Sequence, residues 1–338
     1  MVFLEGGLPS EKACLIRMRS MKGYYYSTGK FHIMLQTLTI LAGMAFLFGL
    51  LGWMLFGVIG LVWALIITVV LYFSTPKISP WMVLRIYRAR MLLPDEVPEL
   101  HEIVKELSSR ARLPSVPQLS YIPSHVMNAF SVGSSRNSAI AISDGIIRHL
   151  SLREIAGVLA HEISHIRNND LKLLALADLM TRITYLFSLF GQILIVFYLP
   201  LAVFSETDFP LGPIFLLIFA PTISMLLQLA LSRAREFDAD LDAAELTGDP
   251  AGLASALQKM DHYEQNIWDF VFFPGSKQRL HPSLLRTHPH TEVRLERLES
   301  LAGKKRTPSM DTNDREKLTG HFPQVDRMPR WSWLRRWY

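Results

Sequence analysis

Apolar positions along this chain follow two regimes. In some blocks they succeed one another almost without a break. Between those blocks they recur at helical spacing or alternate as in a strand. Residues 33–73 contain no charged side chain, and that block is roughly twice the ~20 apolar residues one helix needs to cross a bilayer. It predicts two membrane helices joined by a turn at residues 49–53, with Gly49, Gly52, Gly57 and Gly60 permitting close approach. Blocks at residues 183–204 and 211–231, the latter containing Pro213 and Pro221, predict a third and a fourth crossing. Buried helices of a large soluble domain are the competing explanation, and runs this long and free of charge fit it poorly. A cleaved signal peptide fits no better, because the first block is too long, begins late and ends in no small-residue cleavage motif.

The intervening segments carry a different pattern. Residues 96–111 place Val97, Leu100, Ile103, Val104 and Leu107 on one helical face, with Pro94 and Pro98 at the start and Pro114 and Pro117 beyond the end. Short β-type runs follow at residues 118–122, 129–132 and 139–142, the last two separated by a turn signal at residues 133–137. They predict a small antiparallel sheet. Ser151 and Glu154 then form a capping-box pattern ahead of Leu152, Ile155, Ala156, Leu159 and Ile163, which recur at helical spacing.

Composition agrees with a membrane protein: half of the 338 residues are hydrophobic and 19% are charged. The net charge of +5 reflects Lys and Arg flanking the first two predicted crossings (Lys12, Arg17, Arg19, Lys22 and Lys30 before; Lys77, Arg85, Arg88 and Arg90 after), whereas Glu206 and Asp208 lie between the third and fourth. By the positive-inside rule, both termini and both polar segments face the cytoplasm. Within the polar segments, no basic patch interleaved with aromatic residues suggests nucleic acid. The single cysteine, Cys14, excludes an intrachain disulfide. The chain therefore divides into a basic leader (1–29), a first membrane hairpin (30–73), a polar segment (74–170), a second hairpin (171–231), a second polar segment (232–300) and a tail (301–338). In that tail, Trp331, Trp333 and Trp337 among arginines suit a membrane interface or a docking partner.

The chemistry sits on the capped helix. His161-Glu162-Ile163-Ser164-His165 places two imidazoles one helical turn apart on the same face. They can share one Zn²⁺, while Glu162 takes the proton of the zinc-bound water as it attacks a carbonyl. A catalytic zinc needs a third protein ligand and an open position. Downstream, Glu236, Asp238, Asp240 and Glu245 are all candidates, and spacing does not separate them.

The motifs Asn128-Ala-Phe130, His161-Glu-Ile-Ser-His165 with Asn169 and Asp170, Ser232-Arg-Ala-Arg-Glu-Phe-Asp-Ala-Asp240, and Thr287-His-Pro289 with Arg294 resemble those of the HtpX family of integral-membrane zinc metallopeptidases, relatives of the type 1 CAAX prenyl protease. The resemblance spans about residues 30–300 and implies a mainly α membrane protein with four transmembrane helices and a cytoplasmic α+β zincin-like peptidase domain. It selects Glu236 as third zinc ligand and Asp240 as the carboxylate behind a ligand histidine. It also implies His288 and Arg294 as stabilisers of the oxyanion, and Asn128, Ala129 and Phe130 as an edge strand that binds extended polypeptide substrates. The implied role is cleavage of damaged or misfolded proteins of the cell inner membrane. Prenyl-peptide processing and a non-catalytic metal-stabilised scaffold are the alternatives. The leader at residues 1–29 is not a feature of that family.

Overall fold

The computed structural model describes residues 11–74, 80–204, 211–272 and 291–302. Among them, three helices are long and apolar enough to cross a membrane: residues Lys30–Phe73 within α1 (Glu11–Ser74), Asp170–Phe197 within α6 (Asp170–Phe204) and Ile214–Thr247 within α7 (Leu211–Thr247). The two helices expected of the first apolar block are the two arms of one interrupted helix, α1. This helix is interrupted at Gly57, with φ 63° and ψ −147°, a backbone conformation essentially confined to glycine. Its two arms fold back on each other, so that a Cβ on Gly52 would lie 2.6 Å from the Gly60 carbonyl oxygen. In an unbroken helix those residues would stand about 12 Å apart. The reversal thus falls at Gly57 rather than at residues 49–53. Gly52 and Gly60 serve as the small residues that let the arms touch.

The exterior of these helices is apolar. Phe46 is 71% exposed and Ile59 is 70% exposed, while Met44, Phe48 and Ala64 turn inward against Leu176, Ala177, Met180 and Leu231 of α6 and α7. Outward apolar faces of this extent are stable in lipid and not in water. Polar side chains turn inward instead. Thr181 and Ser224 meet at 3.0 Å between α6 and α7, and Gln228 donates to Asp178 at 3.4 Å. Gln192 bonds Ser188 in its own helix, and the Ser188 hydroxyl donates across to the Leu217 carbonyl.

The remaining elements form the polar domain: α2 (Pro80–Ile86), β1 (Arg90–Met91), α3 (Pro98–Arg110), β2 (Gln118–Ile122), β3 (Ala129–Ser134), β4 (Asn137–Ser143), α4 (Asp144–His149), α5 (Leu152–Asn168), α8 (Pro250–Phe272) and α9 (Thr291–Ala302). The sheet has the order β1-β2-β4-β3 and is mixed, not antiparallel, because β2 and β4 run parallel. The β3–β4 hairpin follows the expected turn, but β4 inserts beside β2 and leaves β3 at the edge. Burial explains the order. Six of seven positions of β4 are buried, as suits a strand flanked on both sides, whereas β3 is mostly half-buried. One core joins α3, β2, β4 and α5 to the end of α7 and to α8, through Leu107, Leu119, Ile140, Ile155, Leu159, Ala243 and Leu253. Gly157 lets α8 lie directly on α5, since a Cβ there would come 2.9 Å from the Leu253 backbone.

The start of α5 is held from both sides. The Ser151 hydroxyl accepts from Glu154 N–H while the Glu154 carboxylate accepts from Ser151 N–H at 2.7 Å. The same carboxylate accepts from Ser255 at 2.6 Å and from Lys259 at 2.8 Å on α8. Burial opposes its charge, but Lys259, Ser255 and Ser151 outweigh it and pull the carboxyl down to about 2. A folded-state value below the unfolded one gives stability that is present above the unfolded value of 4.5 and is lost as pH falls toward 2. Glu154→Gln should therefore cost about 1–3 kcal/mol near neutral pH, read from thermal or denaturant unfolding in detergent, and the difference from the parent should shrink in acid. An equal difference at both pH values would contradict this account.

Candidate metal centre

Helices α5 and α7 bring the site together. His161 and His165 project from one face of α5, and their Nε2 atoms stand 3.1 Å apart. Glu236 projects from α7, with Oε2 3.3 Å from His161 Nε2 and Oε1 3.8 Å from His165 Nε2. All three side chains are buried, and one ligand atom from each falls within 4.8 Å of the others. Around a tetrahedral ion with metal–ligand bonds of about 2.0–2.1 Å, ligand atoms stand roughly 3.4 Å apart. The observed separations bracket that value, and two imidazoles with one carboxylate form the donor set of an open catalytic metal site. These residues fit a metal ion.

Each histidine is backed by a carboxylate. Asp240 Oδ1 stands 3.1 Å from His161 Nδ1, and Asp170 Oδ2 stands 2.9 Å from His165 Nδ1. This arrangement directs both Nε2 atoms toward the common centre and raises their basicity. Burial disfavours charge on His161, yet Asp240 and Glu236 outweigh burial and raise the imidazole to about 10. Surroundings that hold a proton so firmly also favour a metal cation in its place.

Asp170 reaches its position through a turn. Asn169 closes α5 in the left-handed conformation (φ 55°), which asparagine tolerates better than most residues. The chain then re-enters a helix at Asp170, wholly buried behind His165. Sequence reasoning named Asp170 in a motif without assigning it a task. Its signal was a carboxylate directly after a helix-ending Asn.

Beyond Asp170 the polar contacts continue. Arg235 lies 3.4 Å from Asp170 and 3.2 Å from Asp238. Asn168 donates to Asp242 at 2.9 Å, and Lys30, at the start of the first membrane arm, meets Asp242 at 2.5 Å. Ion pairs and a hydrogen bond thus join α1, α5 and α6 to α7, in addition to chain connectivity.

The other expected site residues fall as follows. Glu162 is buried at 8% exposure, and its charge acts on the Arg294 guanidinium. Arg294, from α9, donates to both Asp240 oxygens at 2.7 Å, and its Nη1 stands 3.1 Å from Glu236 Oε2. Burial disfavours its charge, but Asp240 and Glu236 outweigh this and raise its pKa. Asn128 precedes β3, and its N–H donates to the Ser143 hydroxyl oxygen at 2.9 Å. Ala129 and Phe130 open β3, paired with Ile142 and Ala141 of β4. His288 lies outside the described residues.

A His–His–Glu centre on a buried helix pair, carried by apolar membrane helices, defines a membrane metallopeptidase. The profile of peptidase family M48 matches residues 94–302, and the chain belongs to that family, among the HtpX protease homologues. It is 36% identical over 284 residues to a protease HtpX homologue of Thermococcus sibiricus, covering 77% of this chain and 94% of that protein. A homologue from Methylibium petroleiphilum is 32% identical over 286 residues, covering 79% of this chain and 97% of that protein. The crystal structure of S. mikatae Ste24p is similar at TM-score 0.44 and 20% identity, covering 86% of this chain and 67% of that one.

Proposed function

We propose that this protein is a zinc-dependent endopeptidase that cleaves polypeptides at the cytoplasmic face of the cell membrane, in the disposal of damaged or misfolded membrane proteins. The observation that carries this reading is the spacing of the His161, His165 and Glu236 ligand atoms at the junction of polar domain and membrane helices. A zinc ion held there supplies Lewis acidity, activating water and polarising a carbonyl.

The protein's own groups supply the rest. Glu162 takes the proton of the attacking water and returns it to the leaving amine, a role that suits a buried carboxylate next to His161 on α5. Asp240 and Asp170 hold the two imidazoles in the tautomer whose Nε2 is free to bind. Arg294 is held by Asp240 and Glu236, which supports a positioning task more than direct contact with a developing oxyanion. On the family resemblance, His288 is left as the candidate oxyanion donor. The open edge of β3 at Ala129 and Phe130 supports binding of an extended segment by main-chain hydrogen bonds, which reads shape more than sequence. The arms of α1 together with α6 and α7 make four crossings in this reading.

Metal removal tests it. Purified protein treated with a chelator should lose cleavage of an unfolded casein-like substrate, and stoichiometric Zn²⁺ should restore it. Activity that persists after the metal content has fallen to zero would end the proposal.

A further inference from the structure

Helix α2 has two unlike faces. Leu84 is buried with Ile122, Ala139 and Ala141, and the Tyr87 ring, just past the helix, stands 4.8 Å from the Phe130 ring of β3. Pro80 lies so close to β3 that a Cβ on Gly133 would come 2.9 Å from its ring. The opposite face carries Trp81 (54% exposed), Met82 (65%) and Ile86 (39%), with Arg85 exposed among them and Arg88 following. Positions 81, 82, 85 and 86 are helical neighbours. A face turned to water would not carry Trp, Met and Ile together. Aromatic and aliphatic side chains ringed by arginine are the composition of a helix lying at a membrane–water boundary.

Chain geometry brings that boundary to α2. Phe73, at the end of the second arm of α1, is 76% exposed. Only residues 75–79 separate α1 from α2, a reach of about 20 Å at full extension. Lys172 Nζ lies 4.4 Å from the centre of the Tyr72 ring. The end of this arm is therefore level with the start of α6, where the chain passes from polar domain to apolar helix. β3 packs against both α5 and α6, so the strand bound to α2 lies at the same level.

We propose that α2 rests on the bilayer surface, with Trp81, Met82 and Ile86 among the lipids and Arg85 and Arg88 on anionic headgroups, and that it thereby holds β3 at that surface. The second clause rests on the reading of β3 as the substrate strand. It means that segments emerging at the lipid boundary meet β3 already aligned, whereas soluble chains gain nothing from α2.

Two measurements test this on the zinc-loaded, full-length protein in vesicles containing phosphatidylglycerol. In a Cys14→Ser background, a fluorophore attached at Met82→Cys should be quenched by lipid-borne nitroxide and shielded from an aqueous quencher. A label at Lys105→Cys, on the exposed side of α3, should behave oppositely. Equal aqueous access at the two sites would overturn the proposal. The triple variant Trp81→Ser, Met82→Ser, Ile86→Ser should lose severalfold in kcat/KM on a peptide tethered to the vesicle and keep its rate on soluble unfolded casein. Equal loss on both substrates would show that α2 merely props the sheet, and no loss on either would also overturn the proposal. If Phe130→Ala leaves KM for both substrates unchanged, the substrate role of β3 fails, while the label at residue 82 still decides where α2 lies.

Discussion

Glu162→Gln should lower turnover of an unfolded polypeptide by about 10²–10⁴-fold, the range that a positioned general base contributes, while zinc content and thermal unfolding stay at the parent's values. Glutamine keeps the size of the side chain and cannot take a proton. Glu162 follows His161 on α5 and is buried, and Arg294, whose charge it faces, is held by Asp240 and Glu236. Its loss therefore touches the chemistry and little of the fold. Comparing single turnovers of parent and variant at equal zinc occupancy isolates the step. A variant that cleaves as fast as its parent would remove Glu162 from the mechanism.

Glu236→Ala should weaken zinc binding far more than the roughly 10–100-fold expected when a carboxylate behind a ligand is lost. The contrast is sharpest beside Asp170→Asn, which leaves all three ligands in place and should fall in that lower range. Competition with a chromophoric chelator ranks the three proteins. Two physical facts set the order. Glu236 contributes a ligand atom to the cluster, whereas Asp170 acts on His165 through Nδ1 at 2.9 Å. Removing Glu236 also takes away one of the carboxylates that neutralise the buried Arg294, so some loss of stability should accompany the loss of metal. Equal affinities for the Glu236→Ala variant and the parent would move the third ligand to another carboxylate of α7.

The helix that carries His161 and His165 was the most legible part of this protein. Its cap, its apolar period and the four-residue spacing of His161 and His165 are all local, and a helix expresses local spacing directly in space. The long apolar blocks were legible for the same reason, since crossing a bilayer is decided by length and composition. Strand positions were readable, but their order was not. Whether β4 lies beside β2 or outside β3 depends on which strand the helices cover, and that is a property of the assembled core. The point of reversal in α1 was missed because several glycines could have supplied it, and only the packing of Gly52 on Gly60 selects Gly57.

The two halves of the metal centre divide in the same way. Sequence alone determined that two imidazoles share a helix face and that a glutamate follows the first of them. It left Glu236, Asp238, Asp240 and Glu245 equivalent, because distances between α5 and α7 are set by the membrane helices that join them. Tertiary structure separated those carboxylates by direction: Glu236 toward both Nε2 atoms, Asp240 toward Nδ1 of His161, and Asp238 toward Arg235. It also turned Asp170 back onto His165 and closed the arrangement with Arg294 from a helix late in the chain. Ligand spacing within one turn is a local property of the helix, whereas charge partners brought together across long stretches of chain exist only once the helices have packed.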